Sequence, residues 1–226
     1  MLGILRNEKH KGDALLQKTY TADFLTKKQV KNRGEISQVY IEDNHEGIID
    51  KDTWEAVQEE LKRRDAFMEQ HGLKMYARGM EPNLFSFRTF CGECGKSYTS
   101  HSWKSRGIQQ WQCKGHRTNG VLTCRNAFVD HEDLKKGFVA AYNKLMADSR
   151  RKAEWEKTAA KGSALERLRA RQMIELSRQE PLTVMVDELA QLVITEILIL
   201  GAKKYEFTLW MGANTKFPYN DKIATY

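Results

Sequence analysis

The sequence contains no apolar run that approaches the length of about eighteen residues needed to cross a bilayer, so it predicts no transmembrane helix. It also has no hydrophobic signal segment at its N-terminus, which leaves an oxidising compartment and a disulfide framework without support. Hydrophobic residues make up 41% and charged residues 30% of the 226 residues, as is ordinary for a soluble globular protein. This length allows one large domain or two small ones.

Cysteine is absent from most of the chain, and all four cysteines fall between residues 91 and 124: Cys91, Cys94, Cys113 and Cys124. Four thiolates gathered in this way are typical of the ligand set of one tetrahedral Zn²⁺ ion. Two disulfides are disfavoured because the signal segment is missing. A redox Cys-x-x-Cys pair is disfavoured because strand-like and Gly-rich sequence flanks it, rather than a helix in a βαβ unit. We therefore predict one structural zinc ion.

The fourth ligand has a competitor, because Cys113-Lys-Gly-His116 is itself a Cys-x-x-His pair. We favour Cys124, since a lone histidine in a polar, basic loop is more often exposed to solvent than bound to metal. Four protein ligands leave no open position for water or substrate, so the site predicts stabilisation rather than chemistry. No nucleophile, base and orienting group occur together in the sequence, and we assign no catalytic residue.

Acidic residues are scarce over residues 84–130, where two acidic side chains face seven basic ones. Polar and aromatic residues are interleaved with these cations, a composition suited to a phosphate backbone, although a merely solvated basic surface is the alternative for any one residue. A polar stretch over 27–35 is also basic, and its composition fits either a solvated loop or a phosphate-contacting one. The cations that we expect to contact DNA are Arg88, Lys96, Lys104, Arg106, Lys114, Lys27, Lys28, Lys31 and Arg33.

The predicted elements describe an α+β protein. In the N-terminal part, the pattern predicts a strand, a long basic loop and a second strand over 39–42, and then a helix from an Asp50 N-cap to about Gln70. A stretch over 71–82 with glycine at both ends and a proline predicts a linker.

Aromatic-rich runs over 84–90 and 108–113 predict the two strands of a zinc ribbon. A helix is expected after Asp130, with Leu134, Phe138, Ala141 and Leu145 on one face. The tail predicts a helix over 185–193 and a C-terminal hairpin of two strands, 197–200 and 205–211, that packs against the helix after Asp130. The residues from Gly212 on are expected to be loose.

Several motifs follow one another in a specific order: Ile4-Leu5-Arg6-Asn7-Glu8-Lys9, Gln17-Lys18-Thr19-Tyr20-Thr21, Glu46-Gly47-Ile48-Ile49, Trp54-Glu55-Ala56-Val57-Gln58 and Cys91-Gly-Glu-Cys94-Gly. With this set, the chain resembles the C-terminal part of the large serine recombinases, the phage integrases and transposon recombinases of bacteria. The resemblance runs from Ile4 to about Leu209. It implies the end of a recombinase domain over 1–80 and a zinc-ribbon domain over 81–226, which clasp successive parts of a DNA attachment site. It also implies Cys113 and Cys124 as the third and fourth zinc ligands, with Cys124-Arg125-Asn126 resembling the Cys-x-Asn ending of the family.

The sequence departs from the family in two places. The catalytic domain with its serine nucleophile has no counterpart here, so we expect an excised fragment or a truncated reading frame, and no strand cleavage by this chain alone. The long coiled coil that mediates contact between recombinase subunits is reduced over 148–180, because the apolar seam through Leu165 and Leu168 continues with polar residues. The pattern predicts at most a short helical hairpin. The alternative to subunit pairing is that its apolar residues pack on the domain: Trp155, Leu165, Leu168 and Leu176.

The function expected from these features is double-stranded DNA binding, as the non-catalytic, target-recognition part of a site-specific recombinase in the bacterial cytoplasm. The rival is a zinc-stabilised protein-interaction module in which Trp103 and Trp111 dock a partner chain. Salt dependence distinguishes the two, because binding to phosphates weakens steeply with added salt. Neither membrane nor small-molecule binding is expected.

Overall fold

The computed structural model describes residues 2–72, 83–103, 107–118, 121–210 and 214–220. These residues form an α+β fold, as predicted from the sequence. The N-terminal part contains α1 (Leu2–Leu5), β1 (Ala14–Leu16), β2 (Thr19–Asp23), β3 (Lys28–Lys31), β4 (Val39–Ile41) and α2 (Lys51–Gln70). The predicted linker lies almost entirely outside the described residues. In the part of the chain that the structure describes, no helix combines the length and apolarity that spanning a bilayer requires.

The remaining elements run from residue 89 to residue 220: β5 (Thr89–Cys91), β6 (Tyr98–Trp103), β7 (Ile108–Cys113), β8 (Arg117–Thr118), β9 (Val121–Leu122), β10 (Val129–Asp130), α3 (His131–Ala147), α4 (Ser149–Lys161), α5 (Ala164–Leu176), α6 (Asp187–Val193), β11 (Ile194–Gly201), β12 (Lys204–Trp210) and β13 (Asn214–Asn220). Two larger sheets organise them, with strand orders β10-β7-β6 and β13-β12-β11-β5.

The basic stretch near the N-terminus is a hairpin, and the prediction of a long loop there is wrong. Strands β2 and β3 pair antiparallel, with Tyr20 opposite Val30. The outer strands β1 and β4 pair with each other around this hairpin. Among the four residues of β3, only Val30 is partly buried, so polar side chains dominate the strand and conceal its alternation.

Helix α2 begins and ends where the sequence predicts. Asp50 is its N-cap, and the Asp50 carboxylate accepts a hydrogen bond from the Thr53 backbone N–H at 2.8 Å. The helix buries Ala56 in a small apolar cluster with Ala164 and Leu165 of α5. The N-terminal part is therefore packed on α5, which belongs to the helical insertion over residues 148–180.

Polar contacts reinforce this packing of α2 on α5. Glu59 Oε2 accepts hydrogen bonds from Ser163 Oγ at 2.7 Å and from the Leu165 backbone N–H at 3.1 Å. Arg167 Nη2 lies 3.0 Å from Asp52 Oδ2. Both contacts join the first turns of α5 to α2.

The aromatic run before the cysteines forms turns, and the predicted strand over 84–90 is wrong except at its end. Only Thr89–Cys91 is a strand, and it pairs parallel with β11 rather than with the other ribbon strand. Phe87 has a positive φ of 62°, and Phe85 is fully buried against Trp111. The aromatic side chains thus enter the core from turns. The predicted strand over 108–113 is confirmed as β7, and its ribbon partner is β6.

The main core lies between α3, the α4–α5 hairpin and the larger sheet. Helix α3 buries the face that the sequence predicts, including Leu134, Phe138 and Leu145. Trp155 and Met173 join the same core, while Leu165 packs on α2, so these apolar residues of the insertion pack within the chain. Asp130 is the N-cap of α3 by position, but it makes no side-chain cap bond and instead accepts from Gln110 Nε2 at 2.7 Å.

The C-terminal strands close the larger sheet. Tyr205, Phe207 and Leu209 are buried on one face of β12, which confirms the predicted alternation. The expectation of a loose tail is wrong for Asn214–Asn220, which pairs antiparallel with β12 along its whole length. This pairing satisfies backbone groups that would otherwise lie unpaired along an edge of β12.

Candidate metal centre and nucleic-acid interface

The four cysteine Sγ atoms come together, all within 4.8 Å of one another. The Sγ atoms of Cys91 and Cys124 are 3.6 Å apart, and those of Cys94 and Cys113 are 3.3 Å apart. A tetrahedral ion with metal–sulfur bonds of about 2.3 Å would hold its sulfur ligands about 3.8 Å apart. The spacing of these thiols therefore fits a single metal ion.

Two tight turns present three of these thiols, and Cys124 follows β9. In the first, the Gly95 N–H donates to the Cys91 carbonyl at 2.9 Å, with Gly95 at a φ of +70°. In the second, the Gly115 N–H donates to Cys113 Sγ at 3.2 Å. A Cβ on Gly115 would lie 2.9 Å from Cys94 Sγ, so only glycine fits between the two turns without displacing a ligand.

Asn126 holds the thiol cluster against the sheet. Its Nδ2 donates to Cys91 Sγ at 3.1 Å and to the Ile199 carbonyl of β11 at 2.8 Å, and the side chain is buried. Sequence reasoning gave this residue no role, although the Cys-x-Asn pattern contained the signal. Cys124 Sγ lies 3.5 Å from a Glu93 carboxylate oxygen, a contact that the sequence did not predict.

The thiols differ in how readily they ionise. Burial raises the pKa of Cys113 beyond the usual thiol range, and burial also raises the pKa of Cys124 to about 11. Burial acts in the same direction on Cys91, but hydrogen bonds outweigh it and lower the pKa of Cys91 to about 7. The largest of these contributions comes from Asn126. Cys113 and Cys124 therefore resist becoming thiolates at neutral pH unless a cation offsets their charge.

His116 is not part of the thiol cluster, and Cys124 takes the fourth place as favoured from the sequence. The His116 ring packs edge-on against Phe128, with ring centroids 5.1 Å apart. Its Nδ1 is buried and has no hydrogen-bond partner among the described residues. The prediction of an exposed histidine is therefore wrong in detail, since the ring is partly covered.

The structure separates the basic residues of the zinc ribbon by their surroundings. Lys96 and Lys114 are exposed beside the cysteine turns. Arg88 is half-buried, and its Nη1 donates to the Gln191 carbonyl at 3.3 Å near the C-terminal end of α6, where a cation is favoured. Lys104 and Arg106 lie outside the described residues.

The basic residues of the N-terminal hairpin share one environment. Lys27, Lys28, Lys31 and Arg33 are all exposed. Lys28 and Lys31 lie on β3, and Lys27 lies in the turn with a positive φ of 50°. Within the described part of the chain, none of the four forms an ion pair.

A group of arginines around Glu60 is a feature that sequence reasoning missed. Arg63 donates to both carboxylate oxygens of Glu60, at 2.8 and 3.0 Å, and Arg64 Nε donates at 2.7 Å. The charges of these residues also act on Arg88, just before β5, and on Arg169 of α5. Burial lowers the pKa of Arg88 to about 10. No sequence spacing links residues 60, 88 and 169, so only the fold could show this cluster.

Trp111 cannot serve as a docking aromatic, and that part of the protein-interaction alternative is wrong. Its side chain is fully buried, and its Nε1 donates to His131 Nδ1 at 3.2 Å. The Trp111 ring also stacks with the partly buried ring of His131. The side chain of Trp103 lies outside the described part.

Comparison with known proteins gives two family matches along the chain. Residues 1–64 match the family described as Recombinase, and residues 84–143 match the recombinase zinc beta ribbon domain. Among solved structures, a match titled "Crystal Structure of a LSR-DNA Complex" has a TM-score of 0.44 and 17% identity, covering 92% of this chain and 73% of that chain. No significant match is found among curated proteins.

Proposed function

We propose that this chain, which belongs to the recombinase family through its Recombinase domain and its recombinase zinc β-ribbon domain, binds double-stranded DNA as the target-recognition part of a site-specific serine recombinase. The observation that carries this proposal is the succession of the two domains in one chain. Both matches confirm the resemblance that the ordered sequence motifs indicate. The DNA partner would be an attachment site used in integration, excision or transposition.

The metal in this proposal is one Zn²⁺ ion, with Cys91, Cys94, Cys113 and Cys124 as its ligands. Soft thiolates select zinc over hard cations such as Mg²⁺, and four of them leave no open position for substrate. The ion would join the two cysteine turns and would perform no chemistry. Asn126 would orient Cys91 through its 3.1 Å contact.

The DNA-contacting residues in this proposal are the exposed cations of the two basic regions. Lys27, Lys28, Lys31 and Arg33 would meet phosphates near the N-terminal hairpin, and Lys96 and Lys114 would do so at the ribbon. Lys104 and Arg106 are proposed on the sequence pattern alone. Arg88 is the weakest candidate, because its guanidinium already contacts carbonyls of α6.

The proposed domains are residues 1–80 and 81–226, with α4 and α5 forming a reduced insertion over 148–180. A contact with other recombinase subunits through this insertion has less support. Trp155 and Met173 are buried in the core of the chain, and Leu165 packs on α2, so these apolar side chains are not available to a second subunit.

A salt titration of binding to random duplex DNA tests the function. The logarithm of the affinity should fall linearly with the logarithm of the salt concentration, because the lysines and arginines of the bound protein displace counterions from the DNA. Replacing Lys27, Lys28 and Lys31 together by alanine should reduce the slope by about 2.7, since each phosphate contact contributes about 0.9. Lys157→Ala, an exposed lysine on α4, is the matched control and should leave the slope unchanged.

Two results would contradict the proposal. The zinc-loaded chain would fail to bind duplex DNA at low salt, or it would bind with an affinity that does not respond to salt. The second result would favour the protein-interaction alternative. Prior removal of the metal should abolish the contribution of Lys96 and Lys114 to the salt slope, because both lysines lie beside the cysteine turns.

A further inference from the structure

The turn of the N-terminal hairpin carries two adjacent apolar side chains in water. Phe24 is 87% exposed and Leu25 is 88% exposed, more than any other large apolar side chain in the described part of the chain. Single exposed apolar residues are common on protein surfaces. Two neighbours at the tip of a projecting hairpin are a different arrangement, because both can enter the same partner.

The turn is held in one conformation. The Asp23 carboxylate accepts hydrogen bonds from the Leu25 N–H at 3.0 Å, from the Thr26 N–H at 3.3 Å and from Thr26 Oγ1 at 2.7 Å. These bonds lower the pKa of Asp23, with the Thr26 hydroxyl contributing most. Lys27 follows at a positive φ of 50°. The side chains of Phe24 and Leu25 are therefore presented outward before any partner arrives.

The base of the hairpin is also fixed. Asn32 is buried, and its Nδ2 donates to the Gln17 carbonyl at 2.9 Å and to the Ile36 carbonyl at 2.6 Å. The Asn32 backbone N–H donates to the Lys18 carbonyl at 2.9 Å. The tip thus projects from an anchored two-stranded hairpin, which reduces the entropy lost when the tip is inserted into a partner.

The charges around the tip indicate which partner it fits. Residues 17–34 hold five basic side chains and a single acidic one, Asp23, whose carboxylate faces its own turn. Duplex DNA offers phosphates outside and an apolar stack of bases inside. Cations beside an apolar tip can therefore contact the phosphates while the tip contacts the bases. An apolar protein surface has no negative charge to pair with four exposed cations.

We propose that Phe24 and Leu25 form an apolar wedge that inserts at a base step of duplex DNA, with Lys27 and Lys28 on the flanking phosphates. This inference rests on the proposed DNA binding and adds a contact to the bases themselves. Apolar wedges unstack a base step and bend the duplex, at a cost that is smallest at flexible steps such as TA. The wedge would therefore favour DNA sites with such a step beneath the hairpin.

The test compares the full zinc-loaded chain with the variant Phe24→Ser/Leu25→Ser on a duplex that contains TA steps labelled with 2-aminopurine. The parent chain should raise 2-aminopurine fluorescence, because unstacked 2-aminopurine is bright. The variant should lose this increase and bind at least about fivefold more weakly at the same salt, with the salt slope unchanged. Both replaced side chains are exposed, so circular dichroism should show an intact fold.

Two matched variants separate the wedge from the charges. Lys27→Ala/Lys28→Ala should reduce the salt slope by about 1.8 and keep the fluorescence increase at saturation. Ile48→Ser removes another exposed apolar side chain and should change neither quantity.

The inference is overturned if the wedge variant binds DNA like the parent, or if the parent binds without any fluorescence increase, and in both cases the proposed function stands. A parent chain that binds no DNA at low salt overturns both. In that case the charge argument for DNA over a protein partner would itself be wrong.

Discussion

At the residue scale, Glu60 shows how strongly its neighbours can shift the pKa of one carboxylate. Burial opposes its ionisation, but hydrogen bonds from Arg63 and Arg64 outweigh burial and lower the pKa of Glu60 to about 2. Arg88, just before β5, and Arg169 of α5 bring further positive charge to the same carboxylate. Glu60 therefore neutralises part of a cationic cluster that joins three segments of the chain.

Glu60→Gln should destabilise the fold by roughly 2 kcal/mol after allowance for solvent screening, because it leaves the arginines without their carboxylate. The pKa of Glu60 is depressed, so its stabilisation is present above the ordinary value of 4.5 and is lost as the pH falls from there towards 2. The variant should thus lose less stability than the parent over this acid range. Denaturant unfolding at a series of pH values measures both effects.

Glu55→Gln is the control for this prediction, since Glu55 is exposed on the same helix. It should unfold like the parent at every pH. Equal stability of the Glu60→Gln variant and the parent at pH 7 would show that the cluster contributes nothing to folding.

At the scale of elements, the contact between α2 and α5 is the feature that the sequence order does not suggest. Glu59 accepts two hydrogen bonds at the start of α5, and Ser163 is also the N-cap of that helix in a capping box with Glu166. One carboxylate therefore links the end of the Recombinase match to the insertion after the ribbon. This link would couple the orientations of the two proposed domains.

A double-mutant cycle of Glu59→Ala and Ser163→Ala should give a coupling energy of roughly 1 kcal/mol, the size of an ordinary intramolecular hydrogen bond, because Ser163 is exposed to water. The cycle removes the separate effect of losing the N-cap of α5, because that loss occurs in the single Ser163 variant as well. Urea unfolding of the four proteins provides the energies. A coupling energy near zero would mean that the hydrogen bond between Glu59 and Ser163 does not stabilise the packing of α2 on α5.

At the scale of the whole molecule, the cysteine site is joined to the larger sheet rather than isolated in a ribbon. Cys91 is the last residue of β5 and lies opposite Ile199 of β11. The Ile199 carbonyl accepts from the Gly92 N–H at 2.8 Å and from Asn126 Nδ2 at 2.8 Å. Loss of the proposed metal would therefore disturb β11, which begins seventy residues after the last cysteine.

Removal of the metal with a chelator should increase amide hydrogen exchange in Ile194–Gly201 as well as in the ribbon strands, because structural zinc contributes about 10 kcal/mol or more to folding in small modules. Exchange mass spectrometry resolves these segments. Strands β2 and β3 form a two-stranded sheet separate from the sheets that hold β5 and β7, so this hairpin should exchange at an unchanged rate. Unchanged protection of β11 after chelation would show that the ribbon unfolds alone.

The sequence by itself determined the features that depend on local spacing. The clustering of the four cysteines, the buried face of α3 and the alternation of Tyr205, Phe207 and Leu209 were predicted correctly. Each follows from residue types at short, regular intervals, where ligand geometry or the period of a helix or strand leaves few alternatives.

Only the tertiary structure decided features that depend on partners distant in the chain. β5 pairs with β11 rather than with β7, Arg88 contacts α6, and the Trp111 side chain is buried. A strand-forming pattern does not specify its partner, and a cation or an aromatic residue has the same sequence signature whether it faces DNA or the core. The hairpin at residues 19–31 could not be predicted from the sequence for a related reason. An exposed two-stranded hairpin needs little alternation of apolar and polar residues to form.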